Sequence, residues 1–203
     1  MGILGTKILD MSDKSRDYMT LMEEIFQAKG LSEEQFDRFY GWIIKTDFFT
    51  APASTRFHGS YEGGLVEHHI DVYNEAIDLV SLPKFKDCDP VSAYLVSLVH
   101  DFCKIGLYDS YYRNVKNEET GQWERVQAYK YDKPQYPFGH GVASMYIAQQ
   151  FLRLTREEAL AIRWHMGSYR CHKEDMSELQ DSNERYPLVL LLQFADQLSI
   201  VGY

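Results

Sequence analysis

The sequence predicts an all-α (mainly α) helical bundle with one inserted β-hairpin. Three observations carry this. Apolar residues recur at helical spacing through most of the chain. Capping signals punctuate that pattern: Ser32 with Gln35, Thr155 with Glu158, and Asp89 ahead of Pro90. The period changes at one place, residues 108–131, where aromatic and β-branched residues take over. The 203 residues suit one domain with a substantial core. No repeat, low-complexity run or linker divides 1–203.

The elements follow in order. Residues 12–29 read as a first helix, with Ser12 as cap, Gly30 beyond its end, and Tyr18, Leu21, Met22, Ile25 and Phe26 on one face. Ser32 opens a second helix whose stripe is Phe36, Phe39, Tyr40, Ile43 and Ile44. Residues 1–50 are therefore expected to be an N-terminal helical scaffold. Residues 50–64 are turn-rich and end in Gly63-Gly64, which suggests a close backbone approach just before a helix. A third helix spans 65–82 and carries His68 and His69 near its start. A fourth begins at Asp89-Pro90, runs through an apolar segment, 91–99, and delivers His100 and Asp101.

Residues 108–116 and 123–131 read as the two strands of the hairpin, an insertion over 107–133 that begins directly after the His-Asp stretch and is placed to overhang it. Gly139-His140-Gly141 opens a helix to about residue 152. The helix from Arg156 ends at Gly167, with His165 in its last turn. Residues 171–184 read as polar and irregular. Pro187 starts the final helix, where Asp196 interrupts an apolar face.

Composition excludes several functions. The formal net charge of −9 argues against broad nucleic-acid binding, which needs a basic surface, so no long nucleic-acid partner is expected. No apolar run approaches the roughly 20 residues of a membrane span, so no membrane partner is expected. The first residues lack a secretory pattern. Cys88, Cys103 and Cys171 show no CxxC spacing, which fits free thiols and a cytoplasmic location. The oligomeric state is left open.

The residues that ask for a chemical explanation are His58, His68, His100, Asp101, His140, His165 and Asp196. Each lies at a helix end or on an apolar helix. A buried ionised Asp costs several kcal/mol unless it is paired or bound to a cation. A single helix histidine is usually an ordinary core or surface residue, and His69 and His172 are taken as such. Several histidines and two acids, each introduced by a separate helix, form a different pattern. Histidine with carboxylate suits manganese, iron, nickel or zinc, with magnesium less well matched. The expected cofactor is thus a divalent metal, one or two ions. The absence of cysteine among the candidates disfavours a structural zinc finger.

Gly63-Gly64-Leu65-Val66-Glu67-His68, then His100-Asp101-Phe102-Cys103-Lys104-Ile105-Gly106, then Asp196 after Ala195, resembles the HD superfamily of metal-dependent phosphohydrolases. The order is H…HD…D, with an HDxxKxG extension, over about residues 56–200. The segment from His58 to His68 is also similar to the HD domain of YhaM-type 3′–5′ exoribonucleases, whose OB module is not visible in this chain. The resemblance implies an HD-domain helical bundle in which His68, His100, Asp101 and Asp196 ligate a first metal. His140 and His165 fit the places of second-metal ligands, with Asp101 bridging. His165 is followed by Met166, where some members have a further histidine.

The implied activity is hydrolysis of a phosphate ester, of a nucleotide or a similar small phosphorylated substrate, by a metal-activated water. Asp101, Lys104 and His58 are the expected catalytic residues. Lys104 is placed to hold a phosphate oxygen as a point charge if the helix continues past Asp101. Arg56, Tyr61, Arg113 and Lys104 are candidates for substrate binding, with Tyr111, Tyr112, Trp123 and Tyr129 of the hairpin as aromatic faces for a base. The alternatives are a nuclease or phosphodiesterase on short single strands, and a non-catalytic metal- or nucleotide-binding module.

Overall fold

The computed structural model describes residues 2–169 and 171–201. Among them are eight α-helices and one two-stranded antiparallel sheet, so the chain is mainly α with one inserted hairpin. The helices are α1 (Lys14–Ala28), α2 (Glu33–Ile43), α3 (Gly64–Val80), α4 (Pro90–Val99), α5 (His140–Ala148), α6 (Arg156–Trp164), α7 (Met176–Arg185) and α8 (Pro187–Leu198). The strands are β1 (Tyr108–Lys116) and β2 (Trp123–Tyr131). No described helix is long and apolar enough to cross a membrane.

Helix α4 is the axis of the bundle. Residues Ala93 and Tyr94 through Val99 are buried without interruption, so it is apolar all round. It packs on α1, α3, α5, α6 and α8. A helix enclosed in this way can end only among its neighbours, and its end carries His100 and Asp101, 0% and 2% exposed. The N-terminal helices close the other side. The Tyr18 hydroxyl of α1 donates to the Leu98 carbonyl at 2.6 Å, satisfying one of the acceptors left open at the end of α4.

The turn segment before α3 is held down by backbone contact. Ala53 N donates to the Gly59 carbonyl at 2.8 Å, and Leu65 N donates to Ala51 O at 3.0 Å. A Cβ on Gly64 would lie 2.1 Å from Gly59 O, so only glycine fits there. Gly63 caps the helix with φ +79°, a left-handed conformation. The glycine pair therefore lets 50–64 fold back over the start of α3, which brings His58 beside His68.

Most predicted boundaries lie within a few residues of the observed ones, and the two strands match end for end. Two expectations are corrected. Ser12 does not cap the first helix: it sits inside a short 3₁₀ turn, Met11–Asp13, and Asp13 caps α1. Several N-capping side chains stand close together here, and the cap slides by one residue. Residues 171–184 are not irregular: they form a 3₁₀ turn, Lys173–Asp175, and most of α7. Only Leu179 and Ser182 of α7 are buried, so its apolar face is thin and the helix is polar on average. Surface pairs such as Arg163–Glu178 (2.8 Å) help hold it.

Candidate metal centre

Five elements deliver side chains to one point. His68 comes from the second turn of α3, and His100 and Asp101 from the end of α4. His140 is the first residue of α5, His165 follows α6, and Asp196 lies in the third turn of α8. His68 Nε2 and His100 Nε2 stand 3.2 Å apart. His68 Nε2 is 3.5 Å from Asp101 Oδ2 and 3.3 Å from Asp196 Oδ1. His100 Nε2 is 3.5 and 3.9 Å from the same two oxygens. Donors about 2.1 Å from one ion stand roughly 3.0–3.4 Å apart in octahedral or tetrahedral arrangement. The observed separations are close to that.

The other oxygen of Asp101 faces a second pair of rings. Its Oδ1 is 2.6 Å from His140 Nε2 and 3.4 Å from His165 Nε2. Its Oδ2 is also 2.6 Å from Lys104 Nζ. Asp101 thus meets four histidines and a lysine. His68, His100, Asp101 and His140 form a buried group that could hold a metal ion, with His165 and Asp196 alongside.

The hydrogen bonds around the rings fit that use. His100 Nδ1 donates to Ser97 O at 2.8 Å, and His165 Nδ1 donates to Ile162 O at 2.7 Å. A carbonyl only accepts, so these bonds place the proton on Nδ1 and leave Nε2 as a lone pair aimed inward. His165 Nε2 is buried without a hydrogen-bond partner. Two carboxylates, Asp101 and Asp196, are enclosed with one ammonium, that of Lys104, an arrangement that favours a further cation. His140 has Cys103 Sγ 3.3 Å from its Nδ1 where the other two rings have a carbonyl. Cys103, two residues after Asp101, is not among the expected site residues, and it meets His140 through the packing of α5.

The remaining predicted residues are distributed unevenly. His58 borders the centre: its ring lies 5.1 Å from that of His68 and its Nε2 is buried without a partner. Lys104 sits on a 3₁₀ turn, Phe102–Lys104, because α4 stops at Val99, yet it still reaches Asp101. The structure does not bring Arg56, Tyr61 or Arg113 to the centre. Arg56 and Arg113 are exposed, and the Tyr61 hydroxyl donates to Glu67. Of the hairpin aromatics, Tyr111, Tyr112 and Trp123 are exposed and Tyr129 is buried. His69, fully buried, packs behind the centre with its ring 4.8 Å from His100 and 5.1 Å from Phe48. A cavity of about 790 Å³ adjoins the centre, with His140 and Cys103 in its wall and Tyr108 and Tyr131 from the root of the hairpin.

Electrostatics in the metal-free centre are set by burial against the two acids. Burial pushes His100 down to about 3 and His58 down to about 4, and it lowers His69 and His140. For His68 and His165 burial pulls the same way, but Asp101 and Asp196 outweigh it and raise both. Burial works against the Asp101 carboxylate, yet Lys104, His100 and His140 hold it well below the usual range.

A lowered histidine stays neutral in the fold at a pH where the unfolded chain already binds a proton, so it costs stability as pH falls. A raised histidine does the reverse. Four are lowered and two raised, so the metal-free protein is expected to lose stability as pH falls from about 6.5 toward 4. Midpoints of chemical denaturation across that window check this, and a flat or rising profile would contradict it.

Compared with protein-family models, with curated proteins and with solved structures, the chain matches none of them.

Proposed function

We propose that this chain is a metal-dependent phosphohydrolase of the HD type, acting on a nucleotide or similar small phosphate ester. The observation that carries the reading is Asp101, buried, with one oxygen turned to His68 and His100 and the other to His140 and His165. A carboxylate so placed suits a bridge between two ions. The motif order H…HD…D and the HDxxKxG stretch support the same family.

In this reading His68, His100, Asp101 and Asp196 would hold a first ion, and Asp101, His140 and His165 a second. Manganese, iron, nickel and zinc suit these donors best. A divalent ion bound there would supply Lewis acidity and a water of lowered pKa.

The chain's own residues do the rest. Backbone carbonyls fix the ring orientation of His100 and His165. Lys104 uses one of its three donors on Asp101, and the others would serve a phosphate oxygen. His58, neutral at pH 7, offers Nε2 as a hydrogen-bonding group beside His68. The net charge of −9 supports a small substrate over a long nucleic acid. The three free cysteines support a cytoplasmic location.

The test is turnover by the purified protein with Mn²⁺, Fe²⁺, Ni²⁺, Zn²⁺ or Mg²⁺ on mono-, di-, tri- and cyclic nucleotides, sugar phosphates and a short oligonucleotide. Release of phosphate or a nucleoside product, lost on treatment with EDTA and restored by one of the ions, is the expected result. Cleavage of the oligonucleotide alone would replace this reading with a nuclease. No turnover with any ion would leave a binding module.

A further inference from the structure

The cavity beside the centre has walls unlike the centre itself. Phe57, Tyr131, Tyr136 and Phe138 line it, from the turn before α3, the end of β2 and the loop before α5. Phe57, Tyr131 and Phe138 are 80%, 60% and 50% exposed. The Tyr136 and Phe138 rings lie 6.0 Å apart and each packs 5.4 Å from Tyr146, so they form a cluster rather than isolated surface residues. Apolar surface gathered in this way marks a contact site.

Two further observations point to a small ligand. The volume, about 790 Å³, lies within the range of small-molecule sites. His140 is 33% exposed, the most open side chain of the centre, and it lines this cavity, whereas His68, His100 and His165 are closed off. A molecule in the cavity therefore abuts the centre. Arg163 also lines the wall, but its guanidinium stacks on Trp164 at 4.4 Å and pairs with Glu178, so its charge is already engaged.

We infer that the cavity binds the planar ring of the substrate, a nucleobase, stacked against Tyr136 and Phe138 while the phosphate reaches the metal centre past His140. The inference rests on the phosphohydrolase reading for its chemistry. It makes the hairpin root and the loop before α5, rather than Tyr111, Tyr112 or Trp123, the determinants of substrate choice.

Nucleosides test the cavity without calling on hydrolysis. Calorimetry on the Mn²⁺-loaded protein would compare adenosine, uridine and ribose. At least one nucleoside is expected to bind where ribose does not, and Phe138→Ala or Tyr136→Ala to weaken that binding roughly tenfold or more. Phe138 is half exposed, so its truncation leaves the core intact, and circular dichroism checks this. No nucleoside binding, or binding indifferent to both variants, overturns the inference. The matched pair adenosine monophosphate and ribose 5-phosphate then separates the two claims. Nucleoside binding without hydrolysis of either phosphate upholds the cavity and sinks the phosphohydrolase reading. Hydrolysis of both at equal rates upholds the chemistry and sinks the ring site.

Discussion

On the proposed reading, replacing Asp101 with asparagine is expected to empty the candidate metal centre. Bound metal, read by elemental analysis after dialysis against Mn²⁺, should fall about a hundredfold or more in affinity, and any hydrolysis should fall with it. The size follows from the position of the residue. Asp101 is the group that faces both sets of rings, His68 with His100 on one oxygen and His140 with His165 on the other. Asparagine keeps the shape but turns one oxygen into an NH₂ donor, which cannot ligate, and removes the charge. The substitution also leaves Lys104 without its carboxylate, with a side chain only 13% exposed. Breaking a buried pair in this way costs about 3–5 kcal/mol, so the metal-free variant should unfold at distinctly lower denaturant than wild type. Asp196→Asn is the comparison. It removes a carboxylate whose close contacts are histidines, with Lys104 paired instead to Asp101, so it should weaken metal binding with a smaller loss of metal-free stability. Equal metal content in wild type and Asp101→Asn would remove Asp101 from the centre.

On the proposed reading, stripping metal from the wild-type protein should have an effect of similar size on thermal stability. The fold gathers the candidate ligands from five elements, and the unfolded chain does not. An ion at about a thousand times its dissociation constant therefore stabilises the fold by roughly 4 kcal/mol. In a chain of this length each kcal/mol moves the melting temperature by about 2–4 °C, so EDTA should lower it by about 10 °C. Readdition of the binding ion should restore it, and the order of restoration among Mn²⁺, Fe²⁺, Ni²⁺ and Zn²⁺ would identify the preferred metal. A melting temperature indifferent to chelator and ions alike would argue that the cluster is a buried hydrogen-bond network.

Much of this arrangement was legible in the sequence because the features that place it are local. Asp89-Pro90 and the apolar run after it announce α4, and burial on every side follows from its composition. Thr155 with Glu158 and Ser32 with Gln35 form the capping boxes their spacing predicts. Gly64 signals a close approach that the Gly59 carbonyl supplies. What was not legible depends on contacts between distant segments. Helix α7 carries too thin an apolar face for periodicity to reveal it. Cys103 becomes a neighbour of His140 only when α5 packs beside the 3₁₀ turn after α4. Arg56 and Arg113 have the right chemistry for a phosphate, but a charge pattern along the chain does not say which way a side chain leaves the surface.

The hairpin has a consequence for how the centre assembles. Asp101 and His140 lie 39 positions apart in the chain, yet their side chains meet at 2.6 Å. Within that span Tyr108 pairs with Tyr131, and Asp132 N donates to the Leu107 carbonyl at 2.9 Å. Once the strands zip, the chain leaves and re-enters the domain at one point, and the loop left to close shrinks to about fifteen residues. The entropy recovered is on the order of 1 kcal/mol. The hairpin thus acts as a clasp: its far end can lengthen or shorten without changing the distance the chain must bridge between Asp101 and His140.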